Sequence, residues 1–153
     1  MNPSNKIQRI LIAIDFSDNA RAAFYTALDL AKRFEAQTWV LHVSEPIRSF
    51  DFGKKKYVET KEAIERVEAG VNKRIDDLWA AGGEQAIDRR KVHMIVRGGP
   101  AHQEIIDTAI AKEVDLIVLG AKGASDTTAL IGGTAERVLR NAPCSVHCVR
   151  ARE

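Results

Sequence analysis

Cysteine is scarce in this 153-residue chain, which carries only Cys144 and Cys148. They lie four residues apart in CSVHCVR, a segment that reads as a strand, so their Cα atoms would stand about 13 Å apart at ~3.3 Å per residue. That separation excludes a disulfide between them within one chain. At this length the chain is expected to form a single domain, 1–153, burying roughly two thirds of its unfolded surface without covalent staples.

Long apolar runs are also missing. No window approaches the ~20 apolar residues of a membrane span, and MNPSNKIQR ahead of the first strand holds no apolar run, so the expected location is the cytoplasm. Neither sign of charge dominates. The 23 basic and 21 acidic residues leave a net charge of +2, scattered along the chain, and nucleic acid finds no electrostatic attractor. Two short basic clusters, Lys54-Lys55-Lys56 and Arg89-Arg90-Lys91, sit in or beside loop-like stretches without aromatic interleaving and read as solvated charge.

Several phosphate and metal signatures are absent. FGKKKY at residues 52–57 lacks the leading glycine and the hydroxyl residue of a P-loop, and no Gly-x-Gly-x2-Gly follows the first strand. The Ser-Gly-Gly of adenylating pyrophosphatases is missing from the first loop. His42 and His93 fall inside strands and read as packed or hydrogen-bonded, whereas His102, just after Pro100, reads as exposed. His147 and Cys148 are strand neighbours pointing to opposite faces, so they do not clasp one metal. Ser17, Ser125, Thr127 and Thr128 have no histidine or second carboxylate placed by sequence to activate a hydroxyl or a water. A binding module is therefore expected rather than an enzyme.

What is present is a regular alternation. RILIAI (9–14) is a β-branched run that stops at DFSDNA, where Asp15, Ser17 and Asp18 are helix-starting residues. Residues 17–34 then place Ala20, Ala23, Phe24, Ala27, Leu28, Ala31 and Phe34 at helical spacing. TWVLHVS (38–44) is a second strand, apolar enough to be buried on both faces. An irregular stretch runs to Lys56, and residues 57–81 form a long charged helix ended by Gly82-Gly83. KVHMIVRG (91–98), a helix opened by Pro100, VDLIVLG (114–120), a short helix TAERVLRNA and the strand CSVHCVR complete the order βαβαβαβαβ. The expected fold is a doubly wound α/β layer, five parallel strands flanked by four helices and Rossmann-like, with ligands bound where the strand order reverses.

The segment GAKGASDTTALIGGT (120–134) follows the fourth strand directly. Gly120 and Gly123 bring backbone N–H groups near a ligand with no Cβ in the way, and Gly132-Gly133-Thr134 do so again where the last helix begins. A helix N-terminus concentrates unpaired donors and positive dipole, which suits a phosphate, and Lys122 adds a cation.

ILIAIDFSDNARAAFYTALDLA, VLHVSEP, DLIVLGAKGAS and GTAERVLRNAPCSVHCV together resemble the universal stress protein family nearly end to end. The resemblance is to its ATP-binding branch, which carries Gly-x2-Gly-x9-Gly-Ser/Thr after the fourth strand, and it implies the strand order 3-2-1-4-5. It implies ATP as ligand, with Mg²⁺ on the phosphates, and puts Ala13, Asp15, Val43, Gly120, Lys122, Gly123, Gly132, Gly133 and Thr134 at the nucleotide. Counting nine residues past Gly123 reaches Gly133-Thr134, while aligning AERVLR makes Gly132-Gly133 the family pair. The resemblance also implies a homodimer paired through the last strand, and a regulatory role toward a client protein, the alternatives being a weak ATPase or self-phosphorylating protein and a nucleotide-free interaction module.

Overall fold

Five short runs of branched aliphatic residues pair into one parallel sheet in the computed structural model, which describes residues 6–82, 87–123 and 130–152. The strands are β1 (Arg9–Ala13), β2 (Gln37–Ser44), β5 (Val92–Gly98), β6 (Leu116–Gly120) and β7 (Ser145–Val149). Their order is β5-β2-β1-β6-β7, which is the 3-2-1-4-5 order expected from the sequence. Four helices connect them: α1 (Asp18–Phe34), α2 (Lys61–Ala81), α3 (Ala101–Ala111) and α4 (Gly133–Asn141). A short 3-10 turn over Arg89–Lys91 precedes β5, so Lys91 closes a turn instead of opening the strand.

Alternation along β1 explains why the sheet needs cover on both sides. Ile10, Ile12 and Ile14 pack with Phe24, Leu28, Val71 and Ile75 of α1 and α2. Leu11 and Ala13 pack on the other face with Ile105, Ala109, Ala135 and Val138 of α3 and α4. A strand buried on both faces has no polar side to show, and for this reason its sequence is a continuous apolar run. Ser17 caps α1 by accepting the Ala20 N–H at 3.3 Å, and Thr60 caps α2 by accepting the Ala63 N–H at 3.2 Å.

The stretch between β2 and α2 is more ordered than its sequence suggests. Ser49–Asp51 (β3) and Lys56–Val58 (β4) form a two-stranded antiparallel hairpin, with Phe50 opposite Tyr57. Tyr57 and Val58 belong to this hairpin, and α2 starts four residues later than its apolar spacing predicts. Strands of three residues are too short to display an alternation, so the helical pattern beginning at Val58 dominates the sequence signal.

Both cysteines are half-buried free thiols; Cys144 lies just before β7 and Cys148 within it. Desolvation pushes both above the ordinary thiol range, which keeps them protonated and poorly nucleophilic. His93 and His147 are exposed, and His102 is half-buried where exposure was expected. No helix among the described residues is long and apolar enough to cross a membrane.

Candidate nucleotide site

The strand order reverses between β1, whose connection leads to β2, and β6, which is reached by crossing over from β5. Open α/β sheets bind ligands at such a point, beyond the carboxyl ends of the strands. A cleft lies there. Its lining comes from the ends of β1 (Ala13, Ile14, Asp15), β2 (Leu41, Val43) and β6 (Leu119, Gly120, Lys122, Gly123), with Ala20 of α1, Ala101 and Ile105 of α3, and Gly132, Thr134 and Ala135 of α4. Of the residues singled out from the sequence, Ala13, Asp15, Val43, Gly120, Lys122, Gly123, Gly132 and Thr134 all line this cleft, and Gly133 is the first residue of α4 beside it. Ser125, Thr127 and Thr128 lie outside the described residues.

Asp15 is held by its neighbours rather than by a helix cap. Its Oδ1 accepts the Ser17 N–H at 3.0 Å, so Asp15 shapes the turn while Ser17 caps α1. Between them Phe16 sits at φ 63°, a left-handed conformation that costs a residue with a Cβ about 1–2 kcal/mol. Its ring is 92 % shielded from solvent, at 8 % exposure, and burying it returns about 2 kcal/mol, enough to offset that cost. The Arg74 guanidinium of α2 lies 3.8 Å from the Phe16 ring centroid, and His42 packs against the ring with centroids 5.3 Å apart. His42 Nδ1 is 2.8 Å from the Ile14 carbonyl, so the ring nitrogen is the donor and ties β2 to the end of β1. The packed or hydrogen-bonded reading of His42 therefore holds on both counts.

The glycine-rich segment is fixed by other means. The Ala121 N–H donates to the Val149 carbonyl at 2.8 Å, and the Gly132 N–H donates to the Ala121 carbonyl at 2.7 Å, so the two ends of the loop are joined. The Gly132 amide is thereby engaged, and the amides of Gly133, Thr134 and Ala135 in the first turn of α4 are those without an intrahelical partner. Gly120 has a packing reason to be glycine. A Cβ there would stand 2.8 Å from the Ala20 nitrogen and 2.8 Å from the Asn19 carbonyl carbon, both backbone atoms of α1. At Gly133 a Cβ would meet nothing within 4 Å, so that position accepts a larger residue.

The four helices divide by how they begin. Ser17 and Thr60 cap α1 and α2 with side-chain oxygens, whereas α3 starts at Pro100 and α4 at Gly132 with no side-chain cap among the described residues. The first turns of both uncapped helices line the cleft, as does Ala20 in the first turn of α1, which Ser17 caps. Asp15 supplies the carboxylate and Lys122 the cation of the lining, and its floor of Leu41, Val43, Ile105 and Leu119 is apolar. Among the described residues no group of three or more His, Cys, Asp or Glu is placed to hold a metal ion.

Sequence reasoning missed Ala101, Ile105 and Ala135. Their place depends on α3 and α4 lying side by side over one face of the sheet, which periodicity does not report. A signal was available in residue size: Ala13, Ala101 and Ala135, from three different elements, leave the space that larger side chains would fill.

The universal stress protein family model matches residues 6–150. The chain belongs to that family. A universal stress protein of Thermus aquaticus is 32% identical over 143 residues, covering 92% of this chain and 97% of the relative. Among solved structures, a universal stress protein of Lactobacillus plantarum superposes with a TM-score of 0.70 at 27% identity, covering 95% of this chain and 99% of that one. A universal stress protein in complex with cAMP (TM-score 0.66, 20% identity, 96% and 99% covered) and one from Archaeoglobus fulgidus in complex with dAMP (0.59, 20%, 95% and 99%) share the fold.

Proposed function

We propose that this universal stress protein binds ATP in the cleft and acts as a nucleotide-responsive regulatory module in the cytoplasm. The observation that carries the proposal is the pairing of an apolar floor with two uncapped helix starts at the one point where the strand order reverses. Leu41, Val43 and Ile105 suit an adenine ring, and Asp15 suits the hydroxyls of a ribose. Lys122 and the amides at the start of α4 suit phosphates, because a helix N-terminus stabilises negative charge through its unpaired donors and its dipole. The cAMP and dAMP complexes of two relatives favour an adenine nucleotide as the ligand class. Mg²⁺ would ride on the phosphates, since the lining offers one carboxylate and no oxygen cage.

Binding is favoured over catalysis by the same lining. Asp15 has no histidine or second carboxylate beside it among the described lining residues, so general-base activation of a water against a γ-phosphate has no second member. In a homodimer, the parallel sheet's exposed edge at β7 is the surface to be covered, because an edge strand presents unpaired backbone groups.

Calorimetry with ATP, AMP and adenosine tests the reading. ATP is expected to bind tighter than AMP, and AMP tighter than adenosine; equal affinity for all three would remove the phosphate cradle. Single-turnover incubation with γ-labelled ATP separates a binding protein from a slow ATPase, and light scattering at micromolar concentration reads the dimer.

A further inference from the structure

The β3–β4 hairpin spends three aromatic residues on solvent. Phe50, Phe52 and Tyr57 are 42%, 85% and 67% exposed. They share one face: Phe50 stands opposite Tyr57 in the ladder, and Phe52 lies two residues beyond Phe50. The rings pack edge to face, with the Phe50 centroid 5.1 Å from Phe52 and 5.2 Å from Tyr57. Among the described residues the two strands pair only with each other and extend no other sheet.

Around that apolar face the charge is positive. Residues 48–58 contain Arg48, Lys54, Lys55 and Lys56 against the single acid Asp51, and all four cations are exposed. Asp51 is already used within the turn: its Oδ1 accepts the N–H groups of Gly53 at 2.9 Å and Lys54 at 3.0 Å, and its Oδ2 lies 3.9 Å from Lys54 Nζ. The three lysines are exposed, as the sequence suggested, and they belong to the same hairpin as the rings.

We propose that this hairpin is a docking element for an anionic lipid surface, with the aromatic face seated at the headgroup level and the lysines against acidic headgroups. Three considerations select that occupant. Aromatic rings with a basic rim match the chemistry of a membrane interface, where apolar rings enter and cations meet anionic lipid. The patch comprises three side chains, whereas a stable protein dimer buries ~800 Å² per partner, so a second copy of this chain is underserved by it. A two-stranded hairpin that carries its packed rings together suits a planar surface.

Cosedimentation with vesicles tests the proposal, comparing phosphatidylcholine alone with phosphatidylcholine containing about one third phosphatidylglycerol. The intact protein is expected to bind only the anionic vesicles, and less as salt rises, because surface charge attraction is screened. Phe52→Ser is expected to lower that partitioning about tenfold, since it removes most of one ring's transfer to the interface. Phe52 touches solvent over most of its surface, so the thermal midpoint of the variant should match that of the parent; circular dichroism checks this. Lys55→Glu with Lys56→Glu should abolish the binding while leaving the fold intact. Absence of binding to anionic vesicles overturns the proposal. So does binding that Phe52→Ser leaves unchanged, or a loss of dimer or of single-stranded RNA binding that tracks the hairpin variants while vesicle binding does not.

Discussion

The two loops that meet at the cleft are built by opposite means. The turn after β1 is held by a large side chain: Phe16 is driven into a left-handed backbone and fixed by burial between His42 and Arg74. The segment after β6 is held at its two ends by backbone, with Gly120 letting α1 pass closely and backbone hydrogen bonds joining Ala121 to Val149 and to Gly132. The first design orients one carboxylate, Asp15, rigidly. The second leaves room in the cleft and brings the first turn of α4 to its edge. A site that needs both a directed side chain and close backbone approach uses one loop for each.

The largest effect is expected where a side chain holds the first loop. Phe16→Ala should cost about 3–4 kcal/mol, because it empties a packed ring site while keeping the left-handed cost, and the thermal midpoint should fall by roughly 10 °C. Phe16→Gly should recover about 1 kcal/mol of that loss by relieving the backbone, a ranking that differential scanning calorimetry reads directly. If alanine and glycine behave alike, the turn is not strained in the way its φ implies.

Gly120→Ala comes next. A single methyl placed 2.8 Å from two backbone atoms of α1 should cost about 2 kcal/mol, or roughly 4–8 °C. Gly133→Ala, on the same segment, should leave stability near the parent's because its Cβ meets no protein atom. The pair separates glycine kept for packing from glycine kept by no steric demand; equal damage from both would contradict the geometry.

The smallest change in stability with a clear change in binding is expected at Gly123. Gly123→Val should weaken ATP by at least tenfold, about 1.4 kcal/mol, while shifting the midpoint without nucleotide by only a few degrees. Lys122→Ala should weaken ATP less, since it removes one half-exposed cation and leaves the amide donors in place. Calorimetry on both variants sharpens the contrast: a larger loss at Lys122 than at Gly123 would make the site a charge trap rather than a backbone cradle.

How much of this was legible follows from the range of each signal. The five main strands and four helices were readable because burial on both sheet faces forces continuous apolar runs, and helices covering a sheet need apolar residues every three to four positions. Asp15, Gly120, Lys122 and Gly123 were readable as cleft residues because they fall at strand ends, and Gly132 because it opens a helix beside them. The hairpin was not readable, since two three-residue strands carry no period, and its Phe50–Tyr57 pairing depends on a turn between them.

The sequence by itself determined the order of the five main strands and four helices, the family and the composition of the two loops, all consequences of local chemistry and spacing. Tertiary structure alone decided that Ala101 and Ile105 of α3 share a cleft with Asp15, and that the Gly132 amide is engaged by Ala121. It also decided that Gly120 is required by α1 rather than only by a ligand. Each of these joins residues far apart in the chain, and such contacts are set by how helices settle on the sheet, where side-chain volume and backbone approach act together and no single segment carries the information.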